Sequence, residues 1–174
     1  HVPPGYGAGF IVIQHLDPSQ KSILPDILQC STTMPVAEAK EGMKVNAECV
    51  YVIPSNKDLT IKQGKLYLSV PLARRGLRLP IDFFFLALAE DQQAQAVGVI
   101  LSGMGSDGTL GLKAIKEQGG LVAVQTPDSA KFDAMPQSAI NTGLADIVAM
   151  PEELWQEIAA CRQQPPHSGH VKLK

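Results

Sequence analysis

Short apolar runs rich in β-branched residues recur along this chain, and two of them stop at loops carrying reactive side chains. Gly9-Phe10-Ile11-Val12-Ile13 gives way to Gln14-His15-Leu16-Asp17, and Ala96-Val97-Gly98-Val99-Ile100-Leu101 to Ser102-Gly103-Met104-Gly105-Ser106-Asp107-Gly108. Runs of this kind read as buried parallel strands, and α/β proteins place their sites where such strands end. From residue 96 the pattern is regular: strand 96–101, glycine loop, helix 108–118 closed by Gly119-Gly120, strand 121–124, loop, a short helix from Pro136, strand 144–148 and a last helix over 151–162. Strands alternating with helices through short loops predict a doubly wound α/β fold, a mostly parallel sheet with helices on both faces.

The first half is less regular. After a strand near 9–14, Ser22 is placed to cap a helix whose apolar positions Ile23, Ile27 and Leu28 follow helical spacing, with Pro25 tolerated in its first turn. A charge-rich connection leads to a strand over Glu48–Ile53, stopped by Pro54-Ser55-Asn56. Leu59-Thr60-Ile61-Lys62 and Lys65-Leu66-Tyr67-Leu68 flank Gln63-Gly64 and predict a small antiparallel hairpin annex. A loop carrying Arg74, Arg75 and Arg78 then feeds a helix with Pro80 near its first position and Ile81 to Asp91 as its body. Phe83, Phe84 and Phe85 make that helix apolar around much of its girth, so burial on more than one side is expected. Residues 1–162 thus read as one α/β domain, and 163–174, polar and rich in Pro, Gln and His, as a disordered tail.

A chain of 174 residues, 45% hydrophobic, suffices for one well-buried domain. With 15 basic and 17 acidic side chains and no basic stretch to neutralise a run of phosphates, nucleic acid is excluded as an expected partner. No apolar run approaches the roughly 20 residues needed to cross a bilayer, and no signal segment opens the chain, so membrane insertion is not expected and the expected location is the cytoplasm. Cys30, Cys49 and Cys161 fall in patterns that read as helix, strand and helix, the setting of buried or half-buried thiols in a reducing compartment. The histidines, His1, His15, His167 and His170, offer no zinc cage, and His167-Ser168-Gly169-His170 in the tail is an incidental pattern. The chain opens on His1-Val2-Pro3-Pro4-Gly5 without an initiator Met and reaches a core-like strand within a few residues, as a sequence would that starts partway through something longer.

His15 and Asp107 together make two thirds of a Ser-His-Asp hydrolase triad. The glycine loop that carries Asp107 has two readings. Gly103-Met104-Gly105-Ser106-Asp107-Gly108 satisfies G-x-G-x-x-G between a strand and a helix, as a dinucleotide-binding loop should. That fold also wants an acidic residue ending the next strand, which here ends in Gln125-Thr126-Pro127, with Asp128 beyond the proline. In the other reading the glycines let the loop pass close to a reacting group, its N–H groups face an oxyanion, and Asp107 holds an imidazole through Nδ1–H. Plainer roles stand beside both: Asp107 as the cap of the helix that follows it, His15 as a satisfied polar residue at a strand end.

Several spaced motifs, taken in order, resemble the CheB-type chemoreceptor protein-glutamate methylesterase domain. They are Val12-Ile13-Gln14-His15-Leu16-Asp17-Pro18, Val50-Tyr51-Val52-Ile53-Pro54, Arg78-Leu79-Pro80-Ile81-Asp82-Phe83-Phe84-Phe85, Val99 to Gly108, and Ala134-Met135-Pro136-Gln137-Ser138-Ala139-Ile140. The resemblance implies a doubly wound α/β domain that hydrolyses γ-glutamyl methyl esters on the methylated cytoplasmic helices of chemoreceptors and deamidates selected glutamines, without a metal or organic cofactor. It implies His15 as general base, Asp107 as its orienting carboxylate and the Met104 backbone N–H as an oxyanion donor. Arg78, Met135 and Pro136 match family positions near the cleft.

In that family the nucleophilic serine lies in a G-x-S-x-G-G loop after the first strand, ahead of the histidine. No such motif occurs in this sequence. Ser106 lies beside Asp107 and Ser102 ends its strand, so both read as loop or capping residues, and the nucleophile is expected upstream of residue 1. The wording of the Arg78–Phe85 and Ser102–Gly119 stretches is nearest to methylesterase modules fused to a receptor methyltransferase and sensory domains in a longer parent chain. The alternative is a non-catalytic receptor-binding or regulatory module that keeps the cleft without the nucleophile.

Overall fold

The computed structural model describes residues 5–15, 23–71 and 78–163. In chain order the elements are β1 (Phe10–Val12), α1 (Leu24–Ser31), β2 (Val36–Glu38), β3 (Met43–Lys44), β4 (Val50–Val52), β5 (Asp58–Lys62), β6 (Lys65–Ser69), α2 (Pro80–Gln92), β7 (Val97–Ile100), α3 (Thr109–Glu117), β8 (Leu121–Gln125), α4 (Ala134–Asn141), β9 (Ile147–Ala149) and α5 (Pro151–Gln163). Every predicted strand and helix falls on one of them. Cys30, Arg78 and the hairpin lie within this frame, whereas Ser22, Arg74, Arg75 and residues 164–174 lie outside the described residues.

The parallel strands form two three-stranded pieces, β1-β4-β2 and β7-β8-β9, rather than one sheet among the described residues. Phe10, Ile11 and Val12 pair with Val50, Tyr51 and Val52, and Val97 to Ile100 with Leu121 to Val124. β8 shows why helices are needed on both faces. Its side chains alternate, so Val122 and Val124 enter the main core with Leu112, Ile115 and Phe85, while Ala123 enters a second core with Leu154 and Ile158 of α5. β1 is half-buried along its whole length, and Val97 and Val99 of β7 are also half-buried, although β4 and most of β8 are fully covered. Among the described residues β1 and β7 each pair on one side only.

The annex is antiparallel, in the order β3-β6-β5. Gln63 and Gly64 both take positive φ, 51° and 68°, which is the geometry of the tight two-residue hairpin turn their sequence predicts. Leu59, Ile61 and Leu66 carry its buried face into the main core. The charge-rich connection between residues 31 and 48 holds two strands that the sequence pattern did not reveal, β2 and β3, each too short to show a period of two.

α1 forms where expected, but it buries none of its residues: Ile23 and Ile27 are more than half exposed. Cys30 and Cys161 are exposed, against the expectation of buried thiols, because both sit on solvent-facing sides of their helices; Cys49 is half-buried just before β4. α2 packs against both α3 and β5, and it buries Pro80, Ile81, Asp82, Phe84, Phe85 and Ala89. Of its three phenylalanines only Phe83 faces out.

The approach of α2 to α3 depends on Gly111. A Cβ there would lie 2.3 Å from Phe85 Cβ, well inside van der Waals contact, and neither backbone can retreat without opening the main core. Gly111→Ala is expected to lower the free energy of unfolding by about 3 kcal/mol, read as a shifted urea midpoint with an unchanged slope.

Candidate active site

His15 follows β1 by three residues and Asp107 follows β7 by seven, on separate sheet pieces, yet His15 Nε2 lies 2.9 Å from Asp107 Oδ2. The two pieces thus end at the same place. The histidine side chain is about half exposed, 49%, and the aspartate is buried, 4%, which is the asymmetry expected of a group that meets a substrate and a group that holds it.

Asp107 does not cap the helix that follows it. Its carboxylate reaches across to α2, where Oδ2 accepts from Ile81 N at 3.0 Å and Oδ1 from Asp82 N at 2.9 Å. The residue at the N-cap position of α2 is Leu79, which has no side-chain acceptor, so the orphan amides of that first turn are satisfied by a carboxylate distant in sequence. With both oxygens receiving N–H groups, Asp107 acts toward His15 as an acceptor, and Nε2 carries the shared proton. This corrects the expectation of an Nδ1–H contact. Nε2 is the tethered nitrogen, and Nδ1 is the ring nitrogen not held by Asp107.

α3 starts at the neighbouring position, with Gly108 as its N-cap. Its orphan amides meet Asp82, the third residue of α2, whose Oδ1 accepts from Gly111 N at 2.7 Å. Asp82 is buried, 5% exposed, and burial pushes its carboxyl above the ordinary range, with the Asp107 charge acting in the same direction and the amides of Gly111, Gly108 and Leu110 opposing. Sequence reasoning missed Asp82 as a site residue. Its position in the first turn of a helix, where carboxylates find amides, was the available signal. The same contact disposes of the dinucleotide reading: amides that would cradle a pyrophosphate already bind Asp82, with the Asp107 carboxylate buried beside them.

The glycine loop is pinned along its length. Ser102 N donates to the side chain of buried Gln125, and Ser102 Oγ accepts from Phe132 N, so this hydroxyl serves the loop. Gly103 N donates to Phe132 O, and Gly103 O accepts from Met135 N. Met135 and Pro136 are buried, and Met135 packs under Gly103 of this loop. Met104 projects from it with 73% of its surface exposed.

A small cleft of about 50 Å³ opens beside His15, lined by Gln14, Ile53, Pro54, Asn56, Lys57, Asp58, Arg78 and Pro80. Arg78 is among them, and its Nη1 donates to Asn56 Oδ1 at 2.9 Å. Asn56, Lys57 and Asp58 come from the start of the hairpin annex and were not legible as site residues. Burial raises the Asp58 carboxyl, and the Arg78 charge opposes that rise. No group of three His, Cys, Asp or Glu among the described residues is placed to hold a metal ion.

The sequence profile of the CheB methylesterase family matches residues 1–158. The chain belongs to this family. It is 38% identical over 148 residues to an uncharacterized 104.1 kDa protein of Rhodobacter capsulatus, covering 85% of this chain and 15% of that protein. It is 31% identical over 164 residues to a protein-glutamate methylesterase/protein-glutamine glutaminase of Syntrophomonas wolfei, covering 90% of this chain and 47% of the relative. Among solved structures, the crystal structure of the Thermotoga maritima CheB methylesterase catalytic domain superposes with a TM-score of 0.81 at 28% identity, covering 92% of this chain and 87% of that one. The chain spans less than half the length of these two relatives. The likeness to that catalytic domain agrees with the doubly wound α/β fold and its annex.

Asp107→Ala would leave two buried amides and the imidazole without their acceptor. Its expected cost is about 2 to 4 kcal/mol of folding stability, whatever the chemistry of the site, and chemical denaturation measures it.

Proposed function

We propose that this CheB methylesterase domain hydrolyses γ-glutamyl methyl esters on chemoreceptor helices and deamidates glutamines at such positions. The observation that carries the proposal is the His15–Asp107 contact at 2.9 Å, with Asp107 locked by two helix amides, in a chain of this family. An imidazole held at Nε2 presents Nδ1 to whatever nucleophile is delivered to the exposed side of His15. That nucleophile is a serine supplied by residues preceding His1. The two parallel pieces support this reading, because β1 and β7 each have one unpaired edge among the described residues and are half-buried where a central strand would be covered. Near β1, Tyr6 and Phe10 pack edge-on against Trp155 of α5, whose indole N–H is buried without a hydrogen-bond acceptor among the described residues.

In the proposed reaction the serine oxygen attacks the ester carbonyl while His15 Nδ1 takes its proton. The Met104 N–H, which donates to no protein acceptor among the described residues, stabilises the oxyanion. The tetrahedral adduct collapses, the C–O bond to methoxide breaks, and the imidazolium proton leaves with it as methanol. Water, deprotonated by the same nitrogen, then releases the glutamate and regenerates the serine; with glutamine the first leaving group is ammonia. Arg78 lies in the cleft where the substrate backbone would pass. The matched segment makes up 15% of the Rhodobacter capsulatus relative, so there the domain is part of a much larger protein. For this chain we propose a longer parent protein with methyltransferase and sensory domains alongside, and a cytoplasmic location.

Treating the longest protein encoded around this sequence with a fluorophosphonate is expected to give one adduct, on a serine preceding His1, and His15→Gln is expected to slow labelling by roughly 10³-fold or more. An intact protein with no adduct would make the module a receptor-binding one instead. The longer protein is also expected to melt higher than residues 1–174 alone, because a further strand would cover the edges of β1 and β7; equal midpoints in a thermal scan would count against that placement.

A further inference from the structure

We propose that Asp82 is a positioning residue for His15, acting through Asp107 and the first turn of α3; the proposal rests on the reading of His15 as the base and Asp107 as its carboxylate. α2 and α3 begin side by side, and neither has a local side-chain cap. Each is capped by an acid that belongs to the other. Asp107, two residues ahead of α3, closes the first turn of α2 through Ile81 N and Asp82 N. Asp82, inside α2, closes the first turn of α3 through Gly111 N.

This reciprocity has two consequences for His15. The first is geometric. The backbone that carries Asp107 runs directly into Gly108 and the α3 turn that Asp82 holds, so the carboxylate facing Nε2 is fixed at both its oxygens and at its own backbone. Gly111, where a Cβ would strike Phe85, keeps the two helix starts close enough for this exchange.

The second is electrostatic. Asp82 and Asp107 are both buried, at 5% and 4% exposure, and the charge of Asp107 acts directly on Asp82. The groups facing this pair are His15 at the end of β1, the amides opening α2 and α3, and, around the cleft, Lys57 and Asp58 of the annex and Arg78 ahead of α2. When His15 takes a proton, Asp107 meets the charge directly at Nε2, and Asp82 adds a second negative charge beside Asp107. Asp82 therefore favours the imidazolium, and its removal favours the neutral ring.

The test compares Asp82→Asn and Asp82→Ala with the parent in the longest encoded protein. Asp82→Asn keeps an oxygen for Gly111 N and removes the charge; Asp82→Ala removes both. Ester hydrolysis of a methylated receptor peptide is followed across pH, and the His15 imidazole is titrated by NMR, assigned with His15→Gln. We expect Asp82→Ala to lower kcat roughly 10- to 100-fold with KM within about twofold, the mark of a misplaced base. We expect Asp82→Asn to retain more of kcat and to move the acid limb and the imidazole titration downward.

If both variants melt lower but keep the parent's kcat, acid limb and imidazole titration, Asp82 is a structural cap and the proposal fails. If the parent shows no hydrolysis, the methylesterase reading fails separately. The imidazole titration still decides Asp82: a downward move in Asp82→Asn sustains its action on His15, and an unmoved titration overturns it.

Discussion

The Asp107 carboxylate joins three parts of the chain at one point. It accepts from the amides of α2, touches the imidazole at the end of β1, and sits on the loop that leaves β7. A buried carboxylate is costly unless its oxygens are filled, and here a helix N-terminus supplies both donors and the favourable end of its dipole. The histidine then meets an acceptor already fixed by other contacts. That order of dependence makes the contact a property of the fold and not of two flexible side chains.

The rest of the site is built outward from the same point. Gln125 and the Phe132 backbone hold the start of the glycine loop, Met135 supports it from beneath, and Asp82 holds its exit into α3. A loop restrained at its start, floor and exit can leave Met104 N–H without a protein partner while the surrounding backbone stays defined. The hairpin annex contributes from the other side, bringing Asn56, Lys57 and Asp58 to the cleft beside Arg78. Its own buried face, Leu59, Ile61 and Leu66, anchors it to the main core.

Most elements were legible because their signals are local. The hairpin turn at Gln63-Gly64, the proline opening α2, and Gly119 closing α3 with φ 79° each state a backbone preference within a few residues. β2 and β3 were not legible, since two or three residues show no periodicity and their pairing is supplied by β4 and β6. The cysteines on α1 and α5 were misjudged for a related reason: helical spacing identifies a face, but only a packing partner makes it buried.

The sequence by itself determined the fold class, the two strand ends that matter and the family motifs that name His15 and Asp107, since all of these are written in short runs read in order. Only the tertiary structure decided how those residues are used. It assigned Asp107 to the helix before it in the chain rather than the helix after it, turned Nε2 of His15 toward the carboxylate, and brought in Asp82 from a segment read only as an apolar helix. Capping donors accept any carboxylate that reaches them, so which acid serves which helix is set by how α2 and α3 pack, and that is decided by Gly111 meeting Phe85 across the interface.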